Sequence, residues 1–315
     1  MRTIFSHLGL AKLCGWFGIT RQAYYSHSWK SFELNIKHYI IIDKIKKVRI
    51  KHPRLGGRKL YEMLQPFFEE HQIKIGRDAM FDLLFINHLL VRKRKRSIRT
   101  TNSYHRFRKY PNLIRSFTPT SINQLWVSDI TYWKIGKKHV YISFITDAYS
   151  HKIVGYHVAS TLETIESIQA LKMALKGLGS EPTQLIHHSD RGIQYCSNSY
   201  VKLLQDYEIE ISMTENGDPL ENAIAERING IMKEEYLHNY HVINIKQARR
   251  LLKRSVNLYN NERPHMSISN LTPNHVHQSN QKLKLNKLWK NYYKKNCSIV
   301  KQEQDLNRPV NKRQD

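Results

Sequence analysis

The spacing of apolar residues predicts three short helices in the first hundred residues. Residues 38–52, HYIIIDKIKKVRIKH, carry apolar positions at intervals of three and four and are predicted to form a helix that ends before Pro53. A second helix is predicted over RKLYEMLQPFFEEH, with a kink or break at Pro66, and a third over GRDAMFDLLFINHLL, which Gly76 opens. Three such helices joined by glycine-containing turns are typical of a helix-turn-helix unit, although helix triplets also occur in many other proteins.

From residue 121 the spacing becomes that of strands. The stretches NQLWVSDITYWKI and KHVYISFITDAYSHKIVGYHVAS predict three consecutive strands in an antiparallel meander. A helix follows, opened by Thr161 as its N-cap and closed by Gly177–Gly179. A strand in QLIHHSD, a helix in SNSYVKLLQDYEI, a strand in EISM and a helix in DPLENAIAERINGIMKEE complete the order β-β-β-α-β-α-β-α. This order predicts an α/β fold with a mixed sheet flanked by helices.

These changes of pattern divide the chain into five predicted segments. They are an N-terminal helical segment at 1–35, a small all-α helix-turn-helix domain at 36–98, a basic linker at 99–120, the α/β core at 121–280 and a basic tail at 281–315.

Charge points to a polyanionic partner. The 315 residues contain 51 Lys and Arg against 26 Asp and Glu, a net charge of +25. Nucleic acid neutralises such an excess, whereas binding to an anionic membrane usually needs a lipid anchor or a basic amphipathic helix, and neither is evident. Nine of the eighteen residues from Arg92 to Lys109 are basic, and a solvated linker is the simpler interpretation of this run. We nevertheless predict that it contacts DNA phosphates, beginning with Arg92, Lys93, Arg94, Lys95 and Arg96.

Signals for secretion or membrane insertion are not evident. No run approaches the ~20 apolar residues that span a bilayer, and the N-terminus lacks a convincing cleavage site. The three cysteines lie far apart in sequence, which favours neither a disulfide framework nor a zinc ribbon. We therefore expect a cytoplasmic protein.

The predicted helix DPLENAIAERINGIMKEE holds five carboxylates in this basic chain. Asp218 and Glu221 fit a capping box, and Glu234 and Glu235 are expected to face water. Glu226 lies in the predicted helix interior, where no capping role is available. Intervals of four, three and four place four polar residues on one stripe: Asn222, Glu226, Asn229 and Lys233. A solvent-exposed Glu226 with basic neighbours is the simpler interpretation.

Two other acids stand where strands present them. Asp129 interrupts the β-forming run WVSDITYW, and Asp190 follows the strand predicted in QLIHHSD. Three carboxylates drawn together raise one another's pKa unless cations neutralise them, and hard oxygen ligands suit Mg²⁺ or Mn²⁺. Two such ions can activate the attacking oxygen and stabilise the leaving oxygen in phosphoryl transfer. On these grounds alone, a site formed by Asp129, Asp190 and Glu226 is one interpretation among several.

Other polar residues favour structural interpretations. His187 and His188 are adjacent in a predicted strand and point to opposite faces, so they do not easily share one zinc ion. Cys196 has no neighbour that would activate a thiolate. Arg263, before Pro264, fits a helix-terminating turn, with DNA contact or core packing as alternatives.

Spacing links the acids to a known family. Thirty-five residues separate Asp190 from Glu226, and Lys233 stands seven beyond Glu226. This resembles the DDE signature of retroviral integrases and many bacterial transposases. The motifs WVSDITYW, YISFITDAYSHKIVGY, HHSDRGIQY, SMTENGDPLENAIAERINGIMKEE and YNNERPHMSISNLTP resemble those of second-frame (OrfB-type) transposases of insertion-sequence family three. LCGWFGITRQAYYSH and HPRLGGRKLYEML are similar to that family's N-terminal segment and helix-turn-helix unit, so the resemblance covers about residues 10–280.

The resemblance implies a ribonuclease H-like integrase catalytic core in a metal-dependent DNA transposase. Such an enzyme cleaves the element ends and joins strands by in-line attack of a 3′-hydroxyl on a phosphodiester. Asp129, Asp190 and Glu226 would be its catalytic metal ligands, holding two Mg²⁺ or Mn²⁺ ions. Lys233 and Asn222 would contact the DNA end, and Asp147 would have no catalytic role.

The expected partners follow from the same resemblance. They are double-stranded DNA, as terminal inverted repeats and target, and further copies of the chain on that DNA, in a bacterial nucleoid-associated setting. No a/d heptad run is evident, and the family's upstream reading frame often supplies a coiled coil, so association with its product, or fusion to it by frameshifting, is also expected. A ribonuclease H-type nuclease and an inactive DNA-end-binding regulator are the alternative functions.

Overall fold

The structure is a computed structural model that describes residues 8–92, 106–136, 138–178, 184–215 and 222–279, without the side chains of 30–32. The chain divides into two compact units, Met1–Val91 and Arg92–Asp315. Within the described ranges, no helix combines the length and the apolar character needed to cross a membrane. Several residues singled out in the sequence lie outside these ranges: Lys93, Arg94, Lys95, Arg96, Asp218, Glu221 and the tail 281–315.

The first unit is built from four helices. They are α1 (Leu10–Trp16), α2 (Arg21–Lys51), α3 (Gly57–Glu70) and α4 (Arg77–Ile86). Their core holds the apolar side chains of the second half of α2 and of the facing sides of α3 and α4, namely Ile41, Ile42, Ile45, Leu60, Leu64, Phe68, Met80, Leu83 and Leu84. The compact part of this unit is therefore the three-helix arrangement predicted from the sequence.

Two details of these helices differ from the prediction. Helix α2 begins at Arg21 rather than near residue 38, because Thr20 Oγ1 caps it by accepting the backbone N–H of Ala23 at 3.0 Å, so the helix runs across the boundary predicted at residue 35. Helix α3 does not break at Pro66. The buried residues Leu64 and Phe68 lie on either side of the proline, and their packing holds the helix together through it.

The second unit contains a five-stranded mixed sheet. Its strands are β1 (Leu125–Ile135), β2 (Lys138–Asp147), β3 (Ile153–Ala159), β4 (Ile186–Ser189) and β5 (Glu210–Met213). The spatial order is β3-β2-β1-β4-β5; β1, β2 and β3 are antiparallel neighbours, whereas β4 pairs parallel with β1 and β5 parallel with β4. The predicted mixed sheet, with the strand arrangement of a ribonuclease H-like fold, is confirmed.

Helices cover both faces of the sheet. The chain forms α5 (Thr164–Lys176), α6 (Ile193–Cys196), α7 (Asn198–Asp206), α8 (Ala223–Ile231), a π-helical turn (Met232–Tyr236), a 3₁₀ turn (Leu237–Asn239), α9 (Ile245–Asn261), a second 3₁₀ turn (Met266–Ile268) and α10 (Pro273–Gln278). One apolar core joins the sheet to α5, α6 and α7, and another joins it to α8, the π-helical turn and α9. Gly155 on β3 lets α5 approach closely, because a Cβ there would overlap the Ala170 carbonyl oxygen.

Two helix starts were predicted wrongly. Glu163, and not Thr161, occupies the N-cap position of α5. Helix α8 begins at Ala223, after Asn222 in a non-helical conformation, and not after the capping box predicted at Asp218 and Glu221, which lie outside the described ranges. Consequently Glu226 lies in the first turn of α8, and the prediction that it sits in the helix interior is wrong.

Candidate active site

Asp129 lies midway along β1 and is partly buried. Its Oδ1 accepts the backbone N–H of Ile130 at 2.9 Å, and its Oδ2 accepts the side-chain amide of Asn229 at 2.7 Å. Burial, followed by the charges of Asp190 and Glu226, raises the pKa of Asp129 to about 7, and the two hydrogen bonds only partly offset this. Asp129 is thus a carboxylate under repulsion from two others.

The parallel pairing of β1 and β4 brings Asp190 beside Asp129. Ser128 of β1 is in register with Ser189 of β4, so the two aspartates follow paired residues. The loop after β4 then fixes Asp190, whose Oδ1 accepts the backbone N–H of Gly192 at 3.0 Å. A Cβ at Gly192 would lie 2.9 Å from that Oδ1, so the glycine allows the loop to fold tightly against the carboxylate.

The third carboxylate comes from the first turn of α8. The backbone N–H of Glu226 donates to the Asn222 carbonyl at 3.1 Å, which places the acid at the positive end of the helix dipole. Its charge contributes to the raised pKa of Asp129. The structure therefore brings Asp129, Asp190 and Glu226 together.

The polar stripe of α8 faces β1. Asn222 Nδ2 donates to the Ser128 carbonyl at 2.9 Å, Asn229 Nδ2 to Asp129, and Lys233 Nζ to Thr131 Oγ1 at 2.8 Å. Asn222 is 6% exposed, and its amide packs α8 on β1. No site role was predicted for Asn229, although its three-residue spacing from Glu226 was the available signal.

Lys233 supplies positive charge beside the carboxylates. It lies in the π-helical turn, donates also to the Tyr132 carbonyl at 3.3 Å, and stands 5.0 Å from the centre of the Tyr132 ring. Burial lowers the pKa of Lys233, whereas the charge of Asp129 acts in the opposite direction. The ammonium group is therefore held close to the carboxylates by β1.

The side chains of the site do not form a preformed metal-binding cluster. Across the described ranges, no group of three or more His, Cys, Asp or Glu side chains is arranged to hold a metal ion. The side-chain oxygens of Asn222 and Asn229 are buried and have no hydrogen-bond partner in the described part of the chain. Repelling carboxylates beside unsatisfied amide oxygens form a donor set that suits a hard cation.

A cleft opens beside Asp190. It has a volume of about 570 Å³ and is lined from β1 and β2 by Thr131, Tyr132, His139 and Tyr141, and from the loop after β4 by residues up to Tyr195. Asp190 itself lies in the lining of this cleft.

Two other acids, Asp147 (fully buried) and Glu235 (partly buried), have different surroundings. Asp147, at the end of β2, accepts the backbone N–H groups of Asn123 and Ser150, each at 2.7 Å, and the Ser150 hydroxyl at 2.6 Å. Glu235 was predicted to face water, but it binds the fully buried Arg263 guanidinium through two contacts of 2.6 and 2.7 Å. Arg263 thus has a core-packing role, one of the alternatives left open by the sequence.

The histidines and the cysteine near Asp190 are structural. The His187 ring lies 2.7 Å from Ser128 Oγ and 3.1 Å from the Tyr200 hydroxyl, and the His188 ring lies 2.8 Å from Ser212 Oγ. Burial lowers the pKa of His187 to about 3, so it is neutral at physiological pH. Burial, followed by the charge of Asp190, raises the pKa of Cys196 to about 11, so it is no activated thiolate.

Comparisons with known proteins agree on the second unit. Residues 119–219 and 207–273 match two family models, both described as integrase core domain. An insertion element IS600 uncharacterized 31 kDa protein of Shigella sonnei is 32% identical over 265 residues, which are 83% of this chain and 96% of that protein. The transposase for insertion sequence element IS629 of Shigella sonnei is 32% identical over 212 residues, 67% of this chain and 70% of the relative.

Among solved structures, the HTLV-2 integrase catalytic core domain in complex with magnesium matches 50% of this chain and 98% of its own length. The sequence identity is 20% and the TM-score is 0.40.

Proposed function

The chain belongs to the insertion-sequence transposases with an integrase core domain, and we propose that Asp129, Asp190 and Glu226 are its catalytic carboxylates. It is a DNA transposase, a polynucleotidyl transferase of the DDE type. The observation that carries the proposal is the convergence of three acids from β1, the loop after β4 and α8, where burial of Asp129 and the charges of the other two acids raise its pKa to about 7.

We propose the three carboxylates as ligands of a pair of divalent cations, Mg²⁺ or Mn²⁺. Asp129 and Asp190 would hold the metal, and Glu226 would complete the second position. When bound, such ions supply activation of the attacking oxygen and stabilisation of the leaving oxygen. The chain's own part is to orient these ligands: Asn229 fixes Asp129, Gly192 fixes Asp190, and the first turn of α8 presents Glu226.

The reaction we propose is cleavage at the element ends followed by in-line attack of the freed 3′-hydroxyl on a target phosphodiester. The cleft beside Asp190 would admit the DNA strand, and Lys233 would neutralise one of its phosphates. The basic residues from Arg92 to Arg96 would hold the flanking duplex, in keeping with the net charge of +25. We further propose that copies of the chain assemble on the paired ends in the bacterial cytoplasm, at the nucleoid, with the upstream-frame product as a further partner.

The experiment is strand transfer in vitro, with oligonucleotides that carry the inverted-repeat ends, a target plasmid and Mg²⁺. We expect Asp129→Asn, Asp190→Asn and Glu226→Gln each to abolish cleavage and joining while end binding persists, because each change removes a ligand without adding bulk. Asp147→Asn is the matched control, since it alters a buried acid outside the site and should keep activity. Strand transfer at the wild-type rate in any of the three variants would disprove the assignment.

A further inference from the structure

We propose that α9 binds the phosphate backbone of duplex DNA, independently of its base sequence, at a surface separate from the three carboxylates. Four exposed cations form this surface, which we call the α9 basic face: Lys246, Arg250, Lys253 and Arg254. The inference rests on the chain's function as a DNA transposase and does not depend on the catalytic assignment.

The α9 basic face occupies one side of the helix. At 100° per residue, its four positions fall within a sector of about 100°. The opposite side is buried in the core of the second unit, with Ala248, Leu252, Ser255, Val256, Leu258 and Tyr259. Helix α9 is therefore amphipathic, and its charged side is the one left to solvent.

Hydrogen bonds near both ends of α9 fix the helix on the edge strand β3. Arg249 Nε donates to the Val158 carbonyl at 3.2 Å. Eleven residues further along, the Asn260 side-chain amide donates to the Ile153 carbonyl and its oxygen accepts the Ile153 backbone N–H, each at 3.0 Å. The basic face is thus presented in one orientation, which lowers the ordering cost of binding a ligand there.

The charges of the basic face are not balanced within the helix. Helix α9 contains no Asp or Glu from Ile245 to Asn261, and among the described residues none of the four cations forms a salt bridge. Arg250 stands four residues from both Lys246 and Arg254, and like charges at this spacing destabilise a helix. An ordinary solvated face would carry acids at such positions, whereas a polyanionic ligand relieves the repulsion directly.

The chemistry of this side of α9 favours DNA over a protein partner. Every exposed residue of the helix is polar, whereas protein interfaces are centred on aromatic and apolar anchors. Lys and Arg are the side chains that neutralise DNA phosphates. The four cations span ~12 Å of helix axis, which corresponds to about three to four phosphates along one DNA strand.

The two asparagines that continue the basic face towards the end of α9 are engaged by protein groups. The Asn261 side-chain amide donates to Asn257 Oδ1 at 2.9 Å, and Asn261 Oδ1 accepts the Asn274 amide at 2.9 Å. An asparagine that reads adenine needs its oxygen and its amide together. Phosphate contact by the cations is what this surface offers, and phosphates are present in every duplex sequence.

The test is fluorescence anisotropy of the full chain on two labelled duplexes, one with the inverted-repeat end and one of unrelated sequence, in EDTA and at several salt concentrations. The variant combines Lys246→Gln, Arg250→Gln and Lys253→Gln. At about 0.1 M salt we expect it to bind both duplexes at least ~10-fold more weakly than the wild type. The slope of log K against log salt concentration should fall by roughly 3, about one for each lost phosphate contact.

A matched control removes the same charge from the other face of the sheet. It combines Lys172→Gln, Lys176→Gln and Lys202→Gln, which change exposed lysines of α5 and α7. This control should keep the wild-type slope, and circular dichroism shows whether both variants keep their helices. Asp129→Asn should bind DNA like the wild type, so failure of the catalytic assignment is distinguishable from failure of this inference.

An unchanged slope in the α9 variant would overturn the inference, as would an equal loss in the control, which would show an effect of net charge alone. A loss confined to the inverted-repeat duplex would overturn the sequence-independent mode. A variant that binds DNA normally but no longer self-associates would assign the face to a protein partner instead.

Acetylation of the wild-type chain gives a second, direct measurement. We expect bound DNA to protect Lys246 and Lys253 from acetylation, while Lys172 and Lys202 react as they do in the free protein. Equal acetylation of Lys246 and Lys253 with and without DNA would contradict the proposed contact.

Discussion

Asp129 and Asp147 lie on neighbouring antiparallel strands of one sheet, yet their surroundings differ in kind. Asp147 is fully buried and accepts three short hydrogen bonds from Asn123 and Ser150, so the fold compensates its burial. Burial, followed by the charges of Asp190 and Glu226, raises the pKa of Asp129 to about 7, although this carboxylate accepts two hydrogen bonds. A buried acid whose hydrogen-bond partners are supplied by the protein is typical of a structural role. A buried acid with a raised pKa beside other acids is typical of a binding or catalytic site.

The ion pair of Arg263 and Glu235 is a second case in which the protein supplies the partner of a charged group in the core. Burial alone would lower the pKa of Arg263, but the hydrogen bonds and charge of Glu235 raise it above its ordinary value. The opposite charges of the two side chains compensate each other, and the pair forms a salt bridge of 2.6 Å in the core. At the Asp129 site, by contrast, the charges of Asp190 and Glu226 add to burial in raising the pKa of Asp129.

The largest difference should appear when Asp129 loses its charge. We expect Asp129→Asn to reduce strand transfer at least ~10³-fold, with an unchanged or higher free energy of unfolding because the repulsion is relieved. Strand-transfer rates and urea denaturation of the same preparation measure both effects. A large loss of stability in this variant would instead make Asp129 a structural acid like Asp147.

The Arg263–Glu235 pair should show the largest effect on folding. Arg263→Met leaves Glu235 buried without its partner, which should lower the free energy of unfolding by ~3–5 kcal/mol. Arg263→Met combined with Glu235→Leu should recover most of that loss, because the double variant buries no charge. Denaturant titration of the two variants measures both free energies of unfolding. If Arg263→Met were as stable as the wild type, the ion pair would not be needed for stability.

A smaller effect on folding is expected at Asp147. Asp147→Asn weakens hydrogen bonds that a carboxylate accepts from two backbone amides, and should lower the free energy of unfolding by ~1–3 kcal/mol. Strand transfer per folded molecule should stay near the wild-type value. If activity fell as far as in Asp129→Asn while folding was intact, the distinction between the two aspartates would fail.

The smallest expected effect is a change in pH dependence. Without metal, the folded-state pKa of Asp129 lies at about 7, above its ordinary value of 3.8. The folded state then binds the proton more tightly, so this contribution to stability is complete below about pH 4 and is lost as pH rises through about 7. Asp129→Asn should remove on the order of 1–2 kcal/mol of this fall, allowing for partial exposure.

The comparison of wild type with variant is needed because other groups act in the opposite sense. Burial lowers the pKa of His151 to about 4 and that of His187 to about 3. Both contributions to stability are lost as pH falls below the ordinary histidine value, and they are common to the two proteins. Identical pH profiles for wild type and Asp129→Asn would show that Asp129 has no raised pKa.

Local patterns predicted much of the second unit. β-Forming residues separated by turn signals located the meander, and the acid after the fourth strand marked Asp190. The four-three-four spacing from Asn222 to Lys233 correctly placed these residues on one face, and the structure shows that this face meets β1. These features depend only on residues within one helix or strand, so they can be predicted from the local sequence.

Features that depend on distant residues could not be predicted in this way. Glu235 pairs with Arg263, which lies 28 positions away, so its position near a helix end suggested exposure wrongly. Helix α3 runs through Pro66 because tertiary packing outweighs the missing hydrogen bond. The start of α2 was missed because its cap at Thr20 lies well before the residues that pack in the unit's core.

The proposed catalytic role requires Asp129, Asp190 and Glu226 to bind a divalent cation, and calorimetric unfolding in a Mn²⁺ titration measures this binding directly. A ligand that binds only the folded state raises its stability with concentration. We predict a rise in Tm for the wild type that is strongly reduced in Asp129→Asn and retained in Asp147→Asn. A wild-type Tm that does not change with Mn²⁺ concentration would contradict the proposed site. So would a rise in Tm in Asp129→Asn equal to that of the wild type.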